Sequence, residues 1–448
     1  MPPPARVENR QAPPTASRLN GGVMDSYLGS RTPRRLMAAV GAGVGLANGV
    51  FTGVDVDFAR ALSGAPPEVD AVSVTVVTDS YYHHFEPSGL FAGVEVWRYQ
   101  QKPSSNPPRR LLLSEWGLAL HLESVRGGEV RRVLMDFGYT PETINNNLEL
   151  LGIEAAELDA MLLSHGHYDH FGGMVGFLQA HRRKLKPALA LYLGGEECFC
   201  ARENGPADNP GNFGVLDRHA IAEANLKVLF ADKPSIVADH AFTTGWIPNV
   251  SFERPAQPSR MKVGIGPDGL GCAAARLPEG KRNASMMVDD FEHEQAACFN
   301  VKGKGLVVIT SCGHRGVVNT VHAAIKASGI SKVHAVLGGF HLMPMAADYA
   351  AETVRELERF EPGCLIPMHC AGEKFYEAAR QAMPGRVLLT STGTRFTLAP
   401  ARRNAMPLTG RRPRPCGRGA ARSSRAKRGA GIRARGCPCA SGSSAAPR

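Results

Sequence analysis

The sequence predicts an α/β domain in which buried strands end in polar loops and are followed by helices. Three observations carry that expectation. Short apolar runs of strand length recur at Val72 to Val77, Arg132 to Met135, Asp159 to Leu163, Ala296 to Val301, Gly305 to Thr310, Lys332 to Leu337 and Gly363 to Pro367. Helical segments lie between them: Pro141 to Leu151 opens on Pro and stops at Gly152, and Gly173 to Leu185, Gly316 to Ser328 and Ala346 to Arg359 each follow a strand or its loop. A chain of 448 residues with 43% hydrophobic content is also long enough to bury a large core.

In chain order, Val72 to Val77 alternates and is β-branched, and Leu111 to Leu122 reads as a further strand, with the Gly127-Gly128 turn before Arg132 to Met135. Asp136 stands at that strand's end, either capping a turn or orienting what lies beside it. Asp159 to Leu163 then delivers His165-Gly166-His167-Tyr168-Asp169-His170. Imidazoles at i and i+2 can aim at one point, with the carboxylate at i+4 and the imidazole at i+5 facing a neighbouring one. That pattern suits two adjacent divalent metal ions, zinc first, with iron and manganese as alternatives to oxygen-seeking calcium or magnesium.

The stretch from Gly194 to Phe242 is polar and is expected as loops and short strands over the site. It contains Cys198-Phe199-Cys200, which has no second pair to complete a metal site, and His219 and His240 read as ordinary polar residues. Pro248 to Gly280 reads as an insertion able to act as a lid. Gly305 to Thr310 ends in Ser311-Cys312-Gly313-His314; a strand stopping at a histidine before a helix makes His314 a fifth ligand, with Cys312 its competitor. The glycines of Gly338-Gly339-Phe340-His341 permit close backbone approach, so His341 is expected to contact substrate or metal. Gly363 to Pro367 delivers His369, and Val387 to Leu389 and Thr394 to Leu398 close the domain.

His165, His167, Asp169 and His170 reproduce an HxHxDH signature, and on it the chain resembles the metallo-β-lactamase superfamily. Val77-Thr78-Asp79-Ser80, Met135-Asp136-Phe137-Gly138, Thr243-Thr244-Gly245, Thr310 to His314, Gly338 to Leu342 and Pro367-Met368-His369-Cys370 resemble one branch of it, the 7,8-dihydropterin-6-methyl-4-(β-D-ribofuranosyl)aminobenzene-5′-phosphate synthase-like proteins. The resemblance runs from about residue 70 to about 399. It implies a four-layer αββα sandwich with the metal site at one edge, ligands His165, His167, Asp169, His170, His314 and His369, and Asp136 orienting the metal loop. Cys312 falls where many members place a bridging Asp. One departure is the segment Thr243-Thr244-Gly245-Trp246, which has no histidine where many hydrolases of the superfamily carry one.

The implied activity is a metal-dependent hydrolase, with Asp169 and His170 at the catalytic centre, acting on an ester, lactone or phosphoester of a small molecule. The alternatives are a synthase-like transferase, a nuclease, or a metal sensor without turnover. No GxSxG elbow competes with the metal cluster.

Charge separates the body from its ends. The net charge is +11, yet residues 400–448 hold 13 Lys plus Arg and no acid, and residues 1–61 carry a net +3. The body from 62 to 399 is therefore at about −5, which argues against nucleic acid as its partner. Three parts are expected: a leader (1–61), the metallo-β-lactamase-like domain (62–399) and a disordered Arg/Gly/Pro-rich tail (400–448). In the leader, Arg34-Arg35, the weakly apolar run Ala38 to Phe51 and Ala59-Arg60-Ala61 resemble a twin-arginine export signal. Export to the periplasm is one location and the cytoplasm the alternative, the seven body cysteines lacking disulfide-framework spacing. The apolar run is too short for a transmembrane anchor.

Overall fold

A computed structural model describes residues 54–101, 105–107, 109–255 and 259–400. The twin-arginine stretch and the basic tail after Pro400 lie outside the described residues.

Two large sheets dominate. The first has ten strands, in the spatial order Val56–Phe58, Lys227–Phe230, Ala190–Leu193, Ala160–Leu162, Glu129–Met135, Ala119–Arg126, Ala71–Thr78, Thr394–Leu398, Val94–Arg98 and Gly89–Phe91. From Val56–Phe58 to Glu129–Met135 the pairings are parallel; from there to Gly89–Phe91 they are antiparallel. The second sheet runs Ile236–Val237, Ala241–Thr243, Ala297–Val301, Gly305–Ile309, Val333–Gly338 and Cys364–Pro367, its last three strands parallel.

Alternation along each strand sends neighbouring side chains to opposite layers. Leu134, Met161 and Leu191 pack with Phe137, Ile144, Leu148 and Phe177 on the outer face of the first sheet. Their neighbours Val133, Met135 and Leu162 meet Val307, Ile309, Leu337 and Ile366 of the second sheet. On that sheet's far face Val336 and Leu365 pack against Val321, Val354 and Phe375 from the helices Val317–Ser328, Ala347–Glu358 and Glu373–Ala382. These layers form the αββα sandwich. Both sheets end their parallel strands at a common edge, where the chain leaves strand for loop.

Several sequence expectations change. The strand read at Leu111 to Leu122 is Ala119–Arg126; residues 111–118 form a loop tied to Asn147, whose side chain accepts from Leu113 N–H (2.9 Å) and donates to Leu113 O and Val77 O. The leucine run mimics a strand because Leu112 is buried while Leu111 and Leu113 are exposed. Val387 makes only an isolated bridge to Leu365. The stretch expected as loops over the site also contributes Lys227–Phe230, an interior strand of the first sheet. Val56–Phe58 pairs with it, so the folded unit extends past the boundary drawn at 61/62. Cys200 and Cys272 form a disulfide, which the cysteine spacing did not suggest and which removes Cys198-Phe199-Cys200 as a metal pair.

Candidate metal centre

The strand Ala160–Leu162 lies between Glu129–Met135 and Ala190–Leu193, parallel to both. Beyond it the loop is pinned by its own backbone: Leu163 N–H donates to Tyr192 O (2.9 Å) and Ser164 N–H to Asp136 Oδ1 (2.7 Å). Gly166 N–H donates to His293 Nε2 at 3.1 Å. A Cβ at Gly166 would stand 2.4 Å from the Arg202 guanidinium, so glycine alone lets that buried cation lie against the loop. A single helical turn, Tyr168–Phe171, then carries Asp169 and His170.

Two groups of side chains converge. The ligand atoms of His165, His167 and His314 lie within 4.8 Å of one another, and so do those of Asp169, His170 and His369. His314 comes from the loop after Gly305–Ile309. Glu294 accepts from the backbone N–H groups of His314 (2.9 Å) and Arg315 (2.7 Å), and Phe291 stacks on the His314 ring with centroids 4.0 Å apart. Its ring lies 4.7 Å from that of His167, so a third imidazole is present although Thr243 to Trp246 supplies none. His369 follows Cys364–Pro367; its N–H donates to Asp79 Oδ1 (2.9 Å), its Nε2 lies 3.4 Å from Asp169 Oδ2, and Trp116 covers its ring.

Hydrogen bonds behind the cluster decide which ring nitrogens face inward. Asp136 is fully buried and, as a carboxylate, only accepts. It accepts from Ser164 Oγ–H (2.7 Å), from His170 Nδ1–H (2.8 Å) and from Ser311 Oγ–H. Ser164 Oγ, its proton committed to Asp136, accepts from His165 Nδ1–H at 2.9 Å. The free nitrogen of both His165 and His170 is therefore Nε2. Ser259 plays the same part for His167: it donates to Asp289 Oδ2 (3.3 Å) and accepts from His167 Nε2–H (3.0 Å), leaving Nδ1. Arg202 holds Asp289 by a buried ion pair of 2.7 Å.

The inward atoms make no hydrogen bond within the protein, although Asp169 Oδ2 stands 3.4 Å from His369 Nε2 and 3.7 Å from His170 Nε2. His165 Nε2, Asp169 Oδ1, His170 Nε2, both ring nitrogens of His314, His341 Nε2 and His369 Nε2 are all buried without a hydrogen bond. A set of orphaned buried donors and acceptors is costly unless something fills it. Burial and the surrounding imidazoles hold His165 and His314 well below the usual histidine range, and burial takes His167 down to about 3. These rings are neutral, as ligands must be. Burial opposes ionisation of Asp169, but His170, His369 and His167 outweigh it and keep the carboxyl low. His369 moves up to about 9: burial opposes its charge, and Cys370, Asp169 and Asp79 overcome that.

Asp136, His341 and His369 adopt positive φ angles of 61°, 46° and 52°. Backbone strain of this kind collects at functional sites. The cavity in front of the cluster has a volume of about 340 Å³ and is lined by Trp116, His167, Asp169, Phe213, Ser259 and His341 among others. All eight residues singled out from the sequence, His165, His167, Asp169, His170, His314, His341, His369 and Asp136, meet at this edge. Asp79 and Ser311 stand in segments that carry the family resemblance but have no role assigned from the sequence, and sequence reading missed Trp116, Ser259, Asp289, Phe291, His293 and Glu294. The ionisable run from Asp289 to Glu294, directly before a strand, was the one available signal.

The sandwich with the histidine-aspartate cluster at its edge is the metallo-β-lactamase fold, and residues 125–185 match the family model of the metallo-beta-lactamase superfamily. The chain is similar to the 7,8-dihydropterin-6-methyl-4-(β-D-ribofuranosyl)-aminobenzene-5′-phosphate synthase of Methanocaldococcus jannaschii, 26% identical over 264 residues, 58% of this chain and 82% of that one. An uncharacterized protein of the same archaeon is also 26% identical, over 54% of this chain and 80% of its own. Among solved structures, a metal-dependent hydrolase of the β-lactamase superfamily aligns with a TM-score of 0.51 at 20% identity, covering 72% of this chain and 98% of that one; this likeness concerns the fold.

Proposed function

We propose that the protein is a metal-dependent hydrolase that splits an ester, lactone or phosphoester bond of a small molecule. The observation that carries the reading is the convergence of six residues with orphaned ligand atoms, His165, Asp169, His170, His314, His341 and His369, into one buried cluster. In this reading His165, His167 and His314 hold one divalent cation and Asp169, His170 and His369 a second, zinc first, with iron and manganese as alternatives. Bound cations of this kind lower the pKa of water toward neutrality and polarise a carbonyl or phosphoryl oxygen.

The chain's own residues do the rest. Asp136, directly and through Ser164, keeps protons on the outer nitrogens of His170 and His165, so both rings present a lone pair inward. Asp169 keeps its charge and accepts a hydrogen bond from the attacking water, orienting it toward the substrate. Trp116 and Phe213 give the cavity apolar walls, and its size fits a small molecule better than a polymer.

A second reading, a synthase-like transferase in which an organic group replaces water as acceptor, is favoured by the match across most of the archaeal synthase's length. Both are tested by turnover of ester, lactone and phosphoester panels in ¹⁸O-water. Hydrolysis predicts ¹⁸O in the product and its loss with Asp169→Ala. Turnover that requires a second organic substrate and incorporates no ¹⁸O supports the transferase, and no turnover of either kind by folded, metal-loaded protein contradicts both.

A further inference from the structure

We propose that Cys312 and Cys370, together with His341, form a sulfur-bearing wall of this centre, so that one of its cations is held partly by thiolate. The inference rests on reading the pocket as a metal centre and extends it beyond the histidine and aspartate ligands.

The topology brings the three side chains together. Gly305–Ile309, Val333–Gly338 and Cys364–Pro367 are adjacent parallel strands, and Cys312, His341 and Cys370 each lie within a few residues of their C-terminal ends. Cys312 Sγ lies 3.2 Å from Cys370 Sγ and 3.4 Å from His341 Nδ1, and His341 N–H points at Cys370 Sγ at 3.2 Å. Gly339 makes room for this: a Cβ there would stand 2.8 Å from Cys370 Sγ and 2.3 Å from Ser311 O.

The other free thiols of the described residues behave differently. Cys198, Cys298 and Cys364 belong to apolar clusters, as small buried hydrophobes do. Cys312 and Cys370 belong to none of these clusters and line the metal cavity instead. Cys312 is also within 4.8 Å ligand spacing of His165 with His170, of His314 with His341, and of His369 with Cys370. A buried thiol that shares ligand spacing with five imidazoles, beside a second thiol that shares it with His369, is a donor set, and its softness selects zinc or ferrous iron over manganese. Any proton a sulfur still carries goes to solvent as the sulfur–metal bond forms; nothing is oxidised or reduced.

The test is cobalt(II) substitution of the full-length chain, purified under reductant, as wild type, Cys312→Ser, Cys370→Ser and the double variant. The expected result is a near-ultraviolet sulfur-to-cobalt charge-transfer band in wild type. Each single variant loses part of it and the double variant all of it, which also excludes the tail cysteines as its source. Manganese should compete poorly against zinc for wild type and less poorly for the double variant. Cobalt bound at full stoichiometry with only ligand-field bands of nitrogen and oxygen ligation would overturn this inference and leave the proposed function standing. So would a Cys312–Cys370 disulfide in the loaded protein, found by mass after alkylation. No cobalt bound at all would overturn both.

Discussion

Asp136 accepts from Ser164, Ser311 and His170 with one buried carboxylate, and through Ser164 it also sets His165. Asp136→Asn replaces an acceptor by an amide N–H₂ facing donors that have nowhere else to go. Metal affinity should then fall about 10- to 100-fold with the far-ultraviolet spectrum unchanged, read by competition against a chromophoric chelator. Unchanged affinity would mean that the ring orientations are set elsewhere. At this scale the sequence was legible where ligands are contiguous, as from His165 to His170. It was silent where partners meet across long separations: Ser259 reaches His167 over 92 residues and Ser311 reaches Asp136 over 175. No spacing rule connects such pairs, because only the two-sheet packing brings them together.

Strands place the ligands at one edge, and they also bury histidines that have no part in the centre. His121, on Ala119–Arg126, is driven down to about 3 by burial and by Arg395 and Arg132, and burial takes His334 on Val333–Gly338 down to about 4. In the unfolded chain both titrate near 6.5, so below that pH the unfolded state binds protons the native state refuses. Native stability should therefore fall as pH drops from about 6.5 toward 3 and be insensitive to these groups above 6.5. Urea midpoints of metal-free protein at pH 7 and pH 5 should differ less in His121→Gln than in wild type; equal differences would contradict the assignment. Element boundaries were legible where caps or alternation were strong. Pro141–Leu151 matches its reading because Thr140, Pro141 and Gly152 mark both ends. Leu111 to Leu122 failed because three consecutive leucines look apolar in sequence although only Leu112 is enclosed, and that misreading hid Trp116.

Across the whole molecule, the disulfide joins segments 72 residues apart, linking the chain after Ala190–Leu193 to the Gly271–Cys272 strand. Closing a loop of that length stabilises the native state by about 4 kcal/mol in the chain-entropy account. Reductant should lower the denaturation midpoint of wild type and leave Cys200→Ser/Cys272→Ser unmoved at the reduced value. A wild type indifferent to reductant would remove the cross-link from the account. Among the described residues no helix is long and apolar enough to cross a membrane. The αββα layering was legible through the HxHxDH signature rather than through periodicity, since parallel strands buried on both faces show no alternation. The claim on which the rest depends is that the edge shared by both sheets holds two cations. It is tested most directly by elemental analysis of protein purified without chelator, as wild type and as Asp169→Ala/His170→Ala. Two equivalents of metal falling to one or fewer in the variant is the predicted result; folded wild type that carries no metal and takes up none would contradict it.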